Sequence, residues 1–447
     1  MILSAVSKFM LFSFLPKLYL KIKQSNTMKN AGWLLLEKGL LIGSGFIFTI
    51  VLTKYWTVAD FGQYQYILAL LTLLIPFSNL GLNSLVSKEL VLRPIDTDTI
   101  LGTAIVLRFA GAFMGGAVFV ILSLWLVPET LQLLFLTLLL AQLSDAFGVF
   151  DYYFEAKVHS KVSAILRTCN SLIFMSVKLL LVINGKGVTS ILFVTAIEWL
   201  ALGIMWFVVY AQCYKRVRQL MWCKLQAGYF LHRCGWLVLS SLAAIIYLKI
   251  DQVMLGNMVS NEAVAFYSLA SRLSEVWYLF PGIIVASVYP ALIKAKEQEQ
   301  SYTNQLQSLC TYLCWGAIII AVAMTFIAPI FIPMLFGKAY SSVTPILQVH
   351  IWASVFIFMR ALFSKWILIE DIPKYSLLTH GSGAIINILL NLLLIPMFGA
   401  IGAAIATLMA YATASYLVLF CFVKTRPMAL VMTKAIFAPA RMCFNGK

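Results

Sequence analysis

Long apolar stretches recur along this chain, and no other feature restricts its fold as much. A helix needs about 20 mostly apolar residues to cross the hydrocarbon of a bilayer. Twelve stretches reach that length: 31–53, 64–86, 100–127, 131–153, 161–183, 188–211, 229–255, 264–290, 308–336, 344–369, 375–396 and 399–423. Hydrophobic residues make up 62% of the 447 and charged ones 11%, whereas soluble domains carry about 25% charged residues. No soluble core has room for that much apolar surface, and no polar stretch reaches domain length. Backbone amides in hydrocarbon must bond within their own segment. The expected fold is therefore an all-α integral membrane protein of about 12 transmembrane helices, with short connections that make neighbours antiparallel.

The cations outside these stretches orient the chain. One side holds 21 Lys and Arg, including Lys88, Lys157, Lys215, Arg216, Arg218, Lys294 and Lys374; the other holds Lys54, Lys186 and Lys338. Cytoplasmic loops collect Lys and Arg, so both termini are expected in the cytoplasm. The same rule accounts for the net charge of +16 without invoking nucleic acid. Residues 1–30 read as a cytoplasmic segment in which an apolar run with Lys17, Lys21 and Lys23 forms an interfacial helix. Its cations follow the apolar part, unlike those of a signal peptide. The basic tail 424–447 is expected on the anionic inner leaflet. The eight Cys and four His show no metal-ligand spacing, and no Gly-rich phosphate loop with its Lys appears. No metal, cofactor or nucleotide-hydrolysing site is expected.

A weak internal repeat divides the chain. "FGQYQYILAL" at 61–70 and "VAFYSLASRL" at 264–273 both open an even-numbered span, with Tyr64 and Tyr267 matched 203 residues apart. The expected organisation is a six-helix bundle over 31–212, a basic cytoplasmic linker at 213–228 and a second six-helix bundle over 229–423. Two such halves place a binding site between them, near the midplane.

Several charges lie inside the spans, where each costs at least about 2.5–3.5 kcal/mol. Arg167, Arg233 and Lys365 lie close enough to the basic face to snorkel. Asp251 continues a stripe of Ser240, Ala244 and Tyr247, and Arg272 shares a face with Ser268 and Glu275. Arg108 lies among Ala104, Gly111, Ala112 and Gly115, a composition that permits close helix packing. Arg360 has Ser364 on its face; Asp145 lines up with Gln142 and Tyr152, and Glu198 with Thr195. Asn387 and Asn391 share one face with His380, and Glu37 precedes Lys38 near the inner end of the first span. Arg272 and Glu275, three apart on one helix, are in position to neutralise each other. The deep balance tips slightly positive, which implies a polar, ion-paired central cavity.

Three stretches carry a family resemblance. "GSGFIFTIVLTKYWTVADFGQYQYILALLTLL" (43–74), "KIDQVMLGNMVSNEAVAFYSLASRLSEVWYLFPGIIVASVYPALIK" (249–294) and "IPMFGAIGAAIATLMAYA" (395–412) resemble, in order, the polysaccharide transport proteins, the Wzx-type oligosaccharide flippases. The resemblance spans about 30–425. It implies the MATE-like fold shared with multidrug carriers and lipid II flippases, two six-helix bundles around a central and often cationic cavity. It also implies a non-enzymatic flippase of the bacterial inner membrane. Such a protein moves polyprenyl-diphosphate-linked oligosaccharide outward by alternating access, for O-antigen, lipopolysaccharide, capsule or exopolysaccharide assembly. Implied partners are that lipid-linked substrate, membrane lipids, a glycan polymerase and a chain-length regulator.

On this reading Lys38, Arg108, Arg272 and Arg360 offer charge-assisted hydrogen bonds to a diphosphate, and Asn387 and Asn391 meet sugars. Asp145, Glu198, Asp251 and Glu275 are cavity acids or exchange a coupling H⁺ or Na⁺. A multidrug antiporter of the same fold is the nearer alternative, although its cationic substrate calls for an acidic cavity. A membrane glycan polymerase or glycosyltransferase is the other, although the outer loops here are about ten residues or fewer and pair no acid with a His.

Overall fold

The computed structural model describes residues 26–157, 159–214, 219–297 and 302–438. The expected interfacial helix, part of the linker and the end of the tail lie outside them. Among the described residues no strand occurs. The membrane-crossing helices are span 1 (Leu36–Tyr55), span 2 (Val58–Leu92), span 3 (Pro94–Leu126), span 4 (Glu129–Ala156), span 5 (Ser160–Ile183) and span 6 (Val188–Gln212). Span 7 (Val238–Met258), span 8 (Asn261–Lys296), span 9 (Tyr302–Phe336) and span 10 (Val343–Ile369) follow, then one long segment, Tyr375–Cys421.

That last segment is two helices. Gly399 has φ 56° and ψ −132°, a left-handed conformation that only Gly adopts freely. A Cβ on Gly383 would come within 2.7 Å of the Ala414 side chain, and one on Gly402 would overlap the Leu394 carbonyl. Residues 31 apart on one straight helix would be separated by about 46 Å. Residues 375–398 and 400–415 are therefore an antiparallel hairpin, spans 11 and 12, which brings the membrane-crossing helices among the described residues to twelve. Span 12 ends at Ser415 rather than near 423, and a short amphipathic helix, Arg426–Ile436, follows. It buries Met428, Ala429, Met432 and Ala435. Trp315 Nε1 donates to the Ala435 carbonyl at 3.0 Å, tying this helix to span 9.

The two halves repeat more than a tyrosine. Span 2 starts at a Thr57 cap, whose hydroxyl accepts the Asp60 amide at 3.1 Å and donates to Asp60 Oδ2 at 2.7 Å. Span 8 starts at a Ser260 cap, accepting from the Ala263 amide at 3.3 Å. These hydroxyls satisfy first-turn donors that would otherwise face the membrane boundary unpaired. Span 2 is broken by turns at 73–74 and 80–81, the second formed by Leu80 (φ 48°) and Gly81 (φ 61°). Span 8 tightens to a 3-10 turn at Val276–Tyr278, and span 4 does the same at Leu143–Gly148. Broken spans at membrane depth release backbone carbonyls where they line or support a cavity. The Ser78 carbonyl, freed in this way, accepts from Arg108 Nε at 3.2 Å.

The two repeat segments, 61–70 and 264–273, meet each other. A Cβ on Gly62 would overlap the Asn261 carbonyl and lie 3.2 Å from the Ala265 amide. Phe61 and Phe266 both pack edge-on against Tyr340, with ring centroids 6.2 Å apart in each case. Asn257 Nδ2 donates to Tyr66 Oη at 2.9 Å. The halves are thus sealed at the face opposite the basic loops. Toward the basic face, Gly39 and Gly43 of span 1 face open space, and Leu40 of span 1 and Ile283 and Ile284 of span 8 are exposed.

Candidate functional site

Most of the deep charges find a partner on another helix. Arg108 in span 3 is 1% exposed. Its Nη2 donates to Asn79 Oδ1 and Asp145 Oδ2, each at 2.5 Å, and its Nη1 donates to Tyr152 Oη at 3.1 Å. Gly148 leaves the room, since a Cβ there would lie 3.1 Å from Arg108 Nη1. Asp145 keeps 46% of its side chain exposed. It lines a 430 Å³ cavity in the first half with Asn79, Gln142, Trp199 and Trp206.

Lys178 and Glu198 pair at 2.5 Å between spans 5 and 6. Lys249 and Glu275 pair at 3.4 Å between spans 7 and 8. The expected Arg272–Glu275 neutralisation is absent, because Glu275 turns to Lys249. Arg167 does not snorkel. It bridges buried Glu37 of span 1, at 2.6 Å, and Asp151 of span 4. Arg233 and Lys365 lie over the Tyr229 and Tyr289 rings at 5.4 and 5.5 Å.

The Arg167 bridge predicts a stability defect. Arg167→Leu strands a buried and a half-buried carboxylate, and breaking such a group is strongly destabilising, by about 3–5 kcal/mol. Thermal unfolding of the purified variant should show this. Adding Glu37→Gln and Asp151→Asn should restore part of the loss, as the orphaned charges are then gone.

Asp251 is fully buried inside the second half, where spans 7, 8, 11 and 12 converge. Its Oδ2 accepts from Tyr267 at 2.6 Å and Thr407 at 2.8 Å. Its Oδ1 accepts from Asn387 at 2.9 Å and from Asn391. Asn387 and Asn391 are themselves fully buried, so they serve this carboxylate rather than an open cavity where sugars would sit. Asp251 does not share a cavity with Arg272. As partners of Asp251, Tyr267 and Thr407 escaped the sequence reading. Thr407 had one usable signal: it is the single hydroxyl in a stripe of Ala403, Ala404 and Ala410, small residues that let span 12 approach closely.

Arg360 is also buried and does not reach the central opening. Its Nη1 donates to the Ala414 carbonyl at 2.8 Å and its Nη2 to Thr379 Oγ1 at 3.2 Å. Arg272 differs from both buried arginines. It is half-buried and reaches out of its own half, donating from Nη1 to Thr49 Oγ1 of span 1. Beside it an apolar gap of 380 Å³ opens between spans 1, 8 and 9, lined by Ile42, Phe46, Leu273, Trp277 and Phe331. Lys38 is exposed on span 1 toward the basic face. Among the described residues, Lys38, Arg272 and Arg360 have no carboxylate within 4.0 Å. The surplus at the junction of the halves is therefore positive, and it is carried by Arg272.

A family model described as polysaccharide biosynthesis protein matches residues 27–296. The probable flippase AglR of Haloferax volcanii is 29% identical over 247 residues, 54% of this chain and 50% of its own. A probable low-salt glycan biosynthesis flippase of the same organism is 19% identical over 179 residues, 39% of this chain and 38% of its own. The matches thus span half or less of each relative's length. The lipid II flippase MurJ, in an inward closed conformation, superposes with a TM-score of 0.68 at 15% identity, covering 94% of this chain and 93% of that one. An inward-facing multidrug transporter of the MATE family and MOP superfamily gives 0.62 at 14% identity, covering 87% and 95%. These two structures establish the MATE-like fold.

Proposed function

The chain is a member of the polysaccharide biosynthesis protein family, and on that premise we propose that it flips a polyprenyl-diphosphate-linked oligosaccharide across the cytoplasmic membrane. The observation that carries this reading is Arg272: an arginine with no carboxylate partner, at the junction of the halves, hydrogen bonded across to span 1. A guanidinium there meets a diphosphate by charge-assisted hydrogen bonds. The lipid tail lies in the apolar gap beside it, between spans 1, 8 and 9, and the sugars travel in the hydrated space between the halves.

With the basic loops in the cytoplasm, the sealed face is the outer one and the substrate enters from the inner leaflet. Rocking of one half against the other then exposes the cavity outward. An outward-moving anion runs with an inside-negative potential, worth about 2.3 kcal/mol per charge per 100 mV. Such a protein supplies repeat units to a glycan polymerase for a surface polysaccharide of the O-antigen or capsule kind. The positive surplus at the junction disfavours a multidrug antiporter, whose cationic substrate requires an acidic site.

Asp251 is the acid best placed to couple the cycle to H⁺ or Na⁺. It is a buried carboxylate held by two hydroxyls and two side-chain amides with no cation beside it, and isolated buried charge is costly. Asn391 Oδ1, on the same cluster, is buried without a donor, which suits an oxygen-liganded cation.

The test uses cells lacking the protein. Complete lipid-linked glycans should accumulate in the inner leaflet, and wild type should reverse this. Arg272→Ala should cut outward glycan about 10- to 100-fold, matching the loss of a charged hydrogen bond worth about 1.5–3 kcal/mol. Arg272→Lys should fall between the two. Normal outward glycan together with lost resistance to cationic drugs would favour the antiporter.

A further inference from the structure

A cavity lies away from Arg272, at the basic face between the two halves. It measures about 790 Å³ and is walled by three segments. The end of span 2 contributes Ser84, Leu85 and Lys88; the helix leading into span 7 contributes Arg233, Trp236 and Ser240; the start of span 11 contributes Lys374 with Ser376 and two leucines. Ser240 and Ser376 hydroxyls, 3.3 Å apart, join the second and third walls. Among the described residues, no carboxylate lies within 4.0 Å of Lys88, Arg233 or Lys374. The nearest acid on span 2, Glu89, is already engaged by Arg93 at 2.9 Å and by the Tyr229 hydroxyl at 2.7 Å.

We propose that this cavity is a second binding site, which takes the phosphate of a lipid headgroup from the basic-face leaflet, with Lys88, Arg233 and Lys374 as the phosphate donors. The shape of its chemistry selects an amphiphile. Three cations without a carboxylate partner stand toward the basic face, at headgroup level, while Leu85, Pro373, Leu377, Leu378 and Trp236 supply an apolar wall. Free phosphate would use the cations and leave that wall in water. A lipid uses both. Trp236 is 70% exposed, and an exposed indole at a membrane boundary sits among headgroups.

Because one wall belongs to the first half and two to the second, the site is remade whenever the halves move. A lipid held there touches both halves at once. The identity of that lipid as the transported one rests on the flippase reading; phosphate recognition does not.

The experiment measures binding without transport. Full-length protein in phosphatidylcholine nanodiscs is titrated with a sugar-free polyprenyl diphosphate, with phosphatidylglycerol and with inorganic pyrophosphate. Bound ligand is counted by native mass spectrometry. The triple variant Lys88→Gln, Arg233→Gln, Lys374→Gln should bind polyprenyl diphosphate about a hundredfold more weakly, each cation near an anionic headgroup being worth roughly a factor of five. Lys338→Gln, an exposed cation on the opposite face, should bind all three ligands as the wild type does. Trp236→Ala, which leaves the cations in place, should weaken both lipids and spare pyrophosphate.

A parallel loss of phosphatidylglycerol in the triple variant would support the site with bulk lipid as its occupant. Loss confined to the diphosphate lipid would support it with the substrate lipid. Equal binding of all three ligands to wild type and triple variant would overturn it. Intact rim binding in a protein that never flips lipid would sink the flippase reading and leave this site standing; flipping with unaltered binding would do the reverse.

Discussion

Replacing Asp251 with Asn should lower the thermal midpoint of the purified protein by roughly 6–20 °C, without changing its volume or shape. The size follows from the donors. Tyr267 and Thr407 both point at one oxygen, and Asn387 and Asn391 both point at the other. Only a group that accepts on both sides fits. An amide presents two N–H bonds to one pair of donors, and breaking a buried charged network is worth about 3–5 kcal/mol, at roughly 2–4 °C per kcal/mol for a mid-sized domain. The hydroxyl pair can rotate and turn acceptor, so Asn is the milder change. Asp251→Leu, which takes the shared acceptor away from all four donors, should fall further. The same scan tests the coupling proposal. If Asp251 exchanges a cation, the wild-type midpoint should depend on Na⁺ or pH, and that dependence should vanish in Asp251→Asn. A wild type indifferent to both would leave Asp251 as the pin that holds spans 7, 8, 11 and 12 together.

That pin also marks where sequence reading stops. The spans were legible because the bilayer imposes a length, and even the hairpin between spans 11 and 12 could be anticipated from Pro396 and Gly399. The 203-residue repeat was legible at Tyr64 and Tyr267. It runs through the caps at Thr57 and Ser260, which a search for matching hydroxyls would have found. Partnerships of charges were not legible. On one helix Glu275 lies a turn from Arg272, and adjacency suggests a pair, yet the carboxylate reaches Lys249 on span 7 instead. Glu37 and Arg167 are 130 residues apart in sequence and 2.6 Å apart in space. Depth tells that a charge needs a partner; only the packing of helices tells which one. For the same reason Arg108 and Arg360 looked equivalent to Arg272 and are not: their donors are spent inside their own halves.

Gly62→Ala should stop transport while leaving the protein folded, the second large effect expected. The methyl group would overlap the Asn261 carbonyl, a backbone atom that cannot turn aside as a side chain would. Span 2 and span 8 then cannot close against each other at the outer face. The fold survives because transport itself requires those segments to part, so the substitution selects a state the protein already visits. A clash that disfavours the sealed state by about 3 kcal/mol shifts the balance roughly a hundredfold, and flipping should fall by a similar factor. The shift is visible without transport. Thr53 lies one turn outward of Thr49 on the same face of span 1, and it is buried here. In a background lacking reactive native thiols, Thr53→Cys should react slowly with a small thiol reagent applied from outside. It should react many times faster when Gly62→Ala is added. Gly256→Ala, which drives a methyl into the Tyr66 ring on the same seal, should act in the same direction but less, because a side chain yields where a carbonyl does not. Unchanged labelling and normal flipping in Gly62→Ala would mean that the outer seal plays no part in the cycle, and that the meeting of the two repeat segments is packing alone.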